Sequence, residues 1–275
     1  MYRKPKKSLG QHFLVDGNIR RKIITACELE KSDTVMEIGS GRGEITALIA
    51  PRVNKVYALE IDSHLSGLLS KAFSGSKNAT IINRDVLKFD MKRFFSKSGE
   101  RIKVVGNIPY YITSPIIAYL LKHRASICTI FLSVQKEFAR RLGACPGSKE
   151  YGALSCFAQY YADVKILFQI KRGSFSPVPN VDSSFVRLII RDQPAVHIDK
   201  EALLFKIIRT AFNQRRKTLR NSLRGVVPEE KLLQFFTRQA LSPDVRPEVL
   251  SLQDFAVLVN LLKSKKSLDK PALIV

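Results

Sequence analysis

A chain of 275 residues can bury one large core, or one large core and a small second one. Its 46 Lys and Arg against 24 Asp and Glu leave 46 − 24 = +22 charges, a surplus that points to a polyanionic partner, nucleic acid first and a membrane surface second. No apolar stretch is long enough to span a bilayer, and Cys27, Cys128, Cys145 and Cys156 have neither Cys-x-x-Cys spacing nor a neighbouring histidine cluster, so no membrane anchor and no metal site are expected.

In chain order, Met1 to Lys7 is basic without an apolar signal core, which predicts a cytoplasmic protein whose arm (Arg3, Lys4, Lys6, Lys7) orders on phosphate. Asn18 to Leu29 reads as a helix with Ile19, Ile23 and Ile24 on one side. Short apolar runs then alternate with helical patterns. Thr34 to Ile38, Val56 to Ile61, Thr80 to Ile82, Ile102 to Val105 and Ile127 to Val134 are predicted strands; Glu44 to Ala50, Ser63 to Phe73 and Ser114 to Leu121 are predicted helices. That alternation predicts an α/β fold, a Rossmann-like doubly wound parallel sheet whose ligands bind beyond the strand carboxyl ends. Gln193-Pro194 breaks the pattern. Residues 1–191 are read as the catalytic domain, 192–264 as a small all-α domain and 265–275 as a loose tail.

The chemistry-bearing residues fall at those strand ends. Gly39-Ser40-Gly41-Arg42-Gly43 follows the first strand and lets backbone approach a nucleotide-bearing ligand. A dinucleotide fingerprint wants Gly or Ala where Glu44 stands, and Glu37 in the preceding strand would repel a pyrophosphate yet could meet an amino group. Glu60 suits a pair of ribose hydroxyls and Asp85 an adenine amine, although each taken alone also reads as a helix N-cap. An amino-acid end, a ribose and an adenine without phosphate describe S-adenosylmethionine, and Ile61 and Val86, beside the two carboxylates, are counted with its site. After the fourth strand, Asn107-Ile108-Pro109-Tyr110 suits an exocyclic base amine. The Asn107 amide oxygen and the Ile108 carbonyl can each accept one amine hydrogen, Pro109 stiffens the turn, and Tyr110 offers a face for an extruded base.

Further on, Lys206 to Arg224 holds seven basic and no acidic residues. At helical spacing Arg209, Arg216, Arg220 and Arg224 form one stripe beside Ile208, Phe212, Leu219 and Leu223. With Arg215 and Lys217, this stripe is expected to meet RNA phosphate.

Six ordered motifs now carry a resemblance: Ser8 to Leu14, Glu37 to Gly43, Gly106 to Ile112, Gln135 to Glu137, Phe175 to Ser183 and Ala211 to Leu219. From about Lys6 to Leu262 the chain resembles the small-subunit ribosomal RNA adenine dimethyltransferases of the bacterial KsgA type. The resemblance implies transfer of two methyl groups from S-adenosylmethionine to each of two adjacent adenines near the 3′ end of the small-subunit rRNA. It also implies a cofactor site at His12, Leu14, Gly39, Glu60, Asp85 and Asn107, with His12 standing where many relatives carry Asn. Phe175 reads either as a ring closing over the second face of the target base or as a loop anchor. The small ribosomal subunit is the expected partner and a monomer the expected state. Three alternatives stand beside this reading: a resistance-type methyltransferase of large-subunit rRNA, a non-catalytic assembly factor, and a nicotinamide-dependent dehydrogenase, the last disfavoured by Glu37 and Glu44.

Overall fold

The structure, a computed structural model, describes residues 10–95, 99–214 and 216–262. The basic arm with Arg3, Lys4, Lys6 and Lys7, the expected tail, and Arg215 lie outside the described residues.

The chain opens with β1 (Phe13–Leu14) and α1 (Gly17–Ala26). Asp16 starts α1, its carboxylate accepting the Asn18 and Ile19 N–H groups at 2.9 and 3.2 Å. β2 (Thr34–Ile38), α2 (Thr46–Ile49), β3 (Lys55–Glu60), α3 (Ser63–Ala72) and β4 (Ala79–Asn83) follow, then α4 (Met91–Phe95), β5 (Ile102–Asn107), α5 (Thr113–Lys122) and β6 (Ile127–Gln135). α2 is shorter than its predicted span. It gives way to a 3₁₀ turn, Ala50–Arg52, where Pro51 lacks the N–H that a longer helix needs. α6 (Lys136–Leu142) and α7 (Ala153–Tyr161) lead to β7 (Ala162–Ile170), β8 (Phe175–Ser176) and β9 (Ser183–Ile190). The remaining helices are α8 (Glu201–Phe212), α9 (Leu219–Ser222), α10 (Glu229–Arg238) and α11 (Leu252–Leu262).

Seven strands form one sheet in the order β4-β3-β2-β5-β6-β9-β7. β2 to β6 run parallel, whereas β9 is antiparallel to both β6 and β7. The chain winds outward from β2 to β4, returns to β5, and winds the other way. That reversal, between β2 and β5, leaves a crevice at the strand carboxyl ends. A separate two-stranded sheet pairs Leu14 with Phe175 and Phe13 with Ser176. Ile23 and Ile24 of α1, Val35, Val56, Val105 and Phe185 pack into one core, where each buried aliphatic side chain contributes roughly 1.5–3 kcal/mol.

The chain divides into two compact units. The first runs to Gly143 and resumes over Tyr161–Asp192; the second takes Ala144–Tyr160 and the residues from Gln193 on. The sequence reading kept 144–160 with the catalytic domain. Their packing says otherwise: Phe157 and Tyr160 meet Phe205 edge-on at 5.3 and 5.2 Å, and Tyr151 meets Phe212 at 5.9 Å. The continuous Lys206–Arg224 helix is also corrected. α8 stops at Phe212, a turn follows, and α9 starts under a Thr218 cap. The apolar partners Ile208, Leu219 and Leu223 are buried all the same, and Arg209, Arg216, Lys217, Arg220 and Arg224 are exposed.

Candidate active site

The carboxyl ends of β2 to β5 open on a concave cleft with a largely apolar wall and a few polar groups, the usual make-up of a small-molecule site. Its wall includes Gly39 and Gly41 after β2, Glu60 and Ile61 at the end of β3, Asp85 and Val86 after β4, and Asn107, Ile108, Pro109 and Tyr110 at the end of β5, with His12 alongside.

The glycine loop is laced to β3. Gly39 and Ser40 donate their N–H groups to the Leu59 carbonyl at 2.9 and 3.2 Å. Gly41 donates to Glu60 Oε2 at 2.7 Å, and Asp62 donates to Oε1 at 2.9 Å. Glu60 is therefore a buried strut between loop and strand, and each of its oxygens keeps a lone pair for a ligand hydroxyl. Burial raises its pKa, against the two backbone N–H groups that favour the carboxylate. Gly43 closes the loop at φ +84°, where L side chains are strained and a Cβ would stand 2.5 Å from Leu69 Cδ2, so any other residue would have to push that side chain aside. Asp85 caps the turn after β4, its Oδ1 accepting the Leu87 N–H at 2.9 Å. It thus has the N-cap role and a place on the cleft wall together.

Asn107 donates from Nδ2 to the His12 carbonyl at 3.0 Å. That bond fixes the amide and reserves Oδ1 as an acceptor. The Pro109 carbonyl takes the Ile112 N–H at 3.3 Å and the Thr113 hydroxyl at 3.4 Å, whereas the Ile108 carbonyl accepts nothing among the described residues. Tyr110 shares a 2.7 Å hydroxyl contact with Ser183, and its ring lies nearly parallel to the His12 ring, with centroids 5.7 Å apart. Burial raises the Tyr110 phenol, which stays protonated. His12 is braced in turn by Nδ1, which donates to the Pro177 carbonyl at 2.7 Å.

Three expected residues lie off the cleft wall. Phe175 is 1% exposed and packs with Leu14, Ile23 and Phe185, which makes it a loop anchor and not a ring over the base. Its strand pairing with Leu14 holds both side chains in the core. Leu14, likewise buried, packs in the core beside it and is not on the cleft wall. Glu37 lies under the loop and accepts the Thr46 hydroxyl; burial raises its pKa to about 8, so it is largely protonated at neutral pH and offers no counter-charge to an amino group.

This has a measurable consequence. The folded state keeps the Glu37 proton up to about pH 8, while the unfolded chain releases it near 4.5. Its stabilising contribution is complete below pH 4.5 and is lost as pH rises through that window. Glu37→Gln should therefore flatten the fall of melting temperature between pH 5 and pH 8.5; an unchanged pH dependence in thermal melts would contradict the buried proton.

The cleft wall also contains residues that the sequence reading passed over: Gln11, Phe13, Arg84, Tyr111 and Ile116. Phe13 carries the Arg42 guanidinium over its ring at 4.4 Å. Gln11, Phe13 and Tyr111 stand inside the motifs quoted above and Arg84 directly precedes Asp85, so counting every motif position as a site candidate would have found these four. Ile116 comes from α5 and had no local signal. Among the described residues no group of three His, Cys, Asp or Glu could hold a metal ion, and no helix is long and apolar enough to cross a membrane.

Comparison with known proteins agrees with this geometry. Residues 2–264 match the model of the ribosomal RNA adenine dimethylase family. The chain is 41% identical over 265 residues to the ribosomal RNA small subunit methyltransferase A of Bacillus mycoides, covering 94% of this chain and 91% of that one; a Bacillus cereus relative of the same name matches equally. Among solved structures, a dimethyladenosine transferase from Plasmodium falciparum aligns with a TM-score of 0.76 at 27% identity, over 92% of this chain and 98% of that one. The 23S rRNA methyltransferase ErmE aligns with a TM-score of 0.74 at 25% identity, over 92% and 100%. The chain belongs to the ribosomal RNA adenine dimethylase family.

Proposed function

We propose that this protein dimethylates the exocyclic amino groups of two adjacent adenosines near the 3′ end of small-subunit (16S) rRNA, using S-adenosylmethionine, in the cytoplasmic maturation of the small ribosomal subunit. One observation carries the proposal: the Asn107–Tyr110 turn opens on the same cleft as Glu60 and Asp85. A holder for an aromatic amine thus faces a nucleoside site. Small-subunit specificity leans on the 41% identical relatives that bear that name.

Glu60 would hold the ribose hydroxyls and Asp85 the adenine amine of the cofactor, with Ile61 and Val86 along the nucleoside. S-adenosylmethionine, when bound, supplies a methyl group already activated by its sulfonium. The chain's own residues do the rest by positioning. Asn107 Oδ1 and the Ile108 carbonyl accept the two amine hydrogens, which draws the nitrogen lone pair out of the ring. Tyr110 stacks on the target base. The departing proton goes to solvent.

RNA grip falls to the exposed Arg209, Arg216, Lys217 and Arg224, and in part to Arg220, which already pairs with Glu229 at 2.5 Å. Arg215 and the amino-terminal arm join the same role. Changing Arg209, Arg216 and Arg224 together to Gln should lower the salt-dependence slope of RNA binding by about 2, at roughly 0.7 for each phosphate no longer neutralised. An unchanged slope would return them to an ordinary solvated face.

The decisive test is transfer of labelled methyl from S-adenosylmethionine to small subunits that lack these methyl groups, with large subunits as control. Dimethyladenosine on small-subunit RNA alone supports the proposal. Label on large-subunit RNA would favour the activity named for ErmE. Tight binding without transfer would favour an assembly factor.

A further inference from the structure

Tyr110 has a task in the reading above; its neighbour has none. Tyr111 lines the same cleft and is 62% exposed. Tyr110 is tied inward through Ser183 and His12, but the Tyr111 hydroxyl makes no hydrogen bond among the described residues. The ring is nevertheless shelved. A Cβ on Gly10 would stand 3.1 and 3.2 Å from Tyr111 Cδ1 and Cε1, so the ring rests on bare glycine backbone, at φ +56°, where L side chains are strained. A placed aromatic ring, mostly open to solvent and set on the wall of a binding cleft, offers a flat face on which a base can stack.

Extruding a base from RNA leaves the adjacent nucleotide without a stacking partner on one side. An aromatic ring beside the pocket can replace that partner, and such stacking tolerates any base because each has a π-face. We infer that Tyr111 is the platform on which the nucleotide flanking the target adenosine stacks while the target occupies the cleft. This rests on the proposed base-amine chemistry, and it assigns the two consecutive tyrosines to two consecutive nucleotides. The ring carries the interaction and the hydroxyl is dispensable.

The test compares wild type, Tyr111→Phe and Tyr111→Ala in methyl transfer to small subunits lacking the adenine methyl groups. Affinity for S-adenosylmethionine and melting temperature are measured in parallel. Tyr111→Ala should raise KM for subunits and lower kcat/KM about 5- to 150-fold, as loss of one stacked base implies. Tyr111→Phe should stay within about twofold, and neither should change cofactor affinity or melting. Wild-type kcat/KM in Tyr111→Ala, or equal damage in Tyr111→Phe, would overturn the inference. So would a parallel loss of cofactor affinity, because the ring would then serve the cofactor. A second arm separates this from the proposed function: a short RNA with 2-aminopurine beside an adenosine should be quenched by wild type and Tyr111→Phe but not by Tyr111→Ala. A wild type that transfers no methyl sinks the proposed function and leaves the stacking to be judged by that fluorescence alone. Equal quenching by all three proteins refutes it.

Discussion

Asn107→Ala should lower kcat for methyl transfer by roughly 10²–10³-fold, the usual effect of removing one positioned polar group from a reacting centre. The amide has two jobs, and the substitution removes both. Nδ2 braces the His12 carbonyl at 3.0 Å, and Oδ1 is the acceptor that this brace leaves over. Cofactor affinity, measured by calorimetry, should fall by about tenfold or less, because Glu60 keeps both of its backbone braces and Asp85 its cap. Asn107→Gln should fare little better than Asn107→Ala, since one added methylene displaces the acceptor by about 1 Å and such a misplacement costs on the order of 10²-fold. A variant that lost cofactor binding and turnover in equal measure would make Asn107 a cofactor ligand and remove it from the chemistry.

The second large effect belongs to Tyr110, where two substitutions separate ring from hydroxyl. Tyr110→Phe removes only the 2.7 Å hydrogen bond with Ser183, worth about 1 kcal/mol net, or roughly fivefold. Tyr110→Ala removes the stacking face, worth about 1–3 kcal/mol per base, or about 5- to 150-fold, and it also strips the His12 ring of its neighbour. Single-turnover methylation should therefore keep Tyr110→Phe within about fivefold of wild type and place Tyr110→Ala below both. Equal and severe loss in both would refute stacking and move the role to the hydroxyl and Ser183.

The legible and illegible parts of this chain differ for physical reasons. β2 to β6 stand out in the sequence because parallel strands covered on both faces read as unbroken apolar runs, and each was placed to within about two residues. β7 was not found. It lies at the sheet edge with β9 as its one neighbour, and its register shifts between Ile166 and Phe168, so neither a period of two nor a continuous apolar run survives. β1 and β8 are two residues each, below any periodic signal. The glycine loop, Glu60, Asp85 and the Asn107 turn were legible because a doubly wound sheet brings strand ends together whatever lies between them. Glu37 and Phe175 were misread for one shared reason. A carboxylate beside a cofactor loop and a ring in a Pro-rich segment have the right chemistry, but only tertiary packing decides whether they face the cleft or the core. The arginine stripe was extrapolated past Phe212, where α8 ends, although Ile208, Leu219 and Leu223 stay buried.

The excursion of residues 144–160 into the helical unit also governs how this gene can be cut. A stop codon after Asp192 looks like a clean excision of the catalytic unit, but the shortened chain would still carry Tyr151, Cys156, Ala158 and Tyr160, all buried in the whole protein. Phe205 and Phe212, which cover two of those rings, would be gone, and a fresh apolar patch would face water. An isolated catalytic unit needs a second edit that rejoins Gly143 to Tyr161 through a short linker, with the stop codon left where it is.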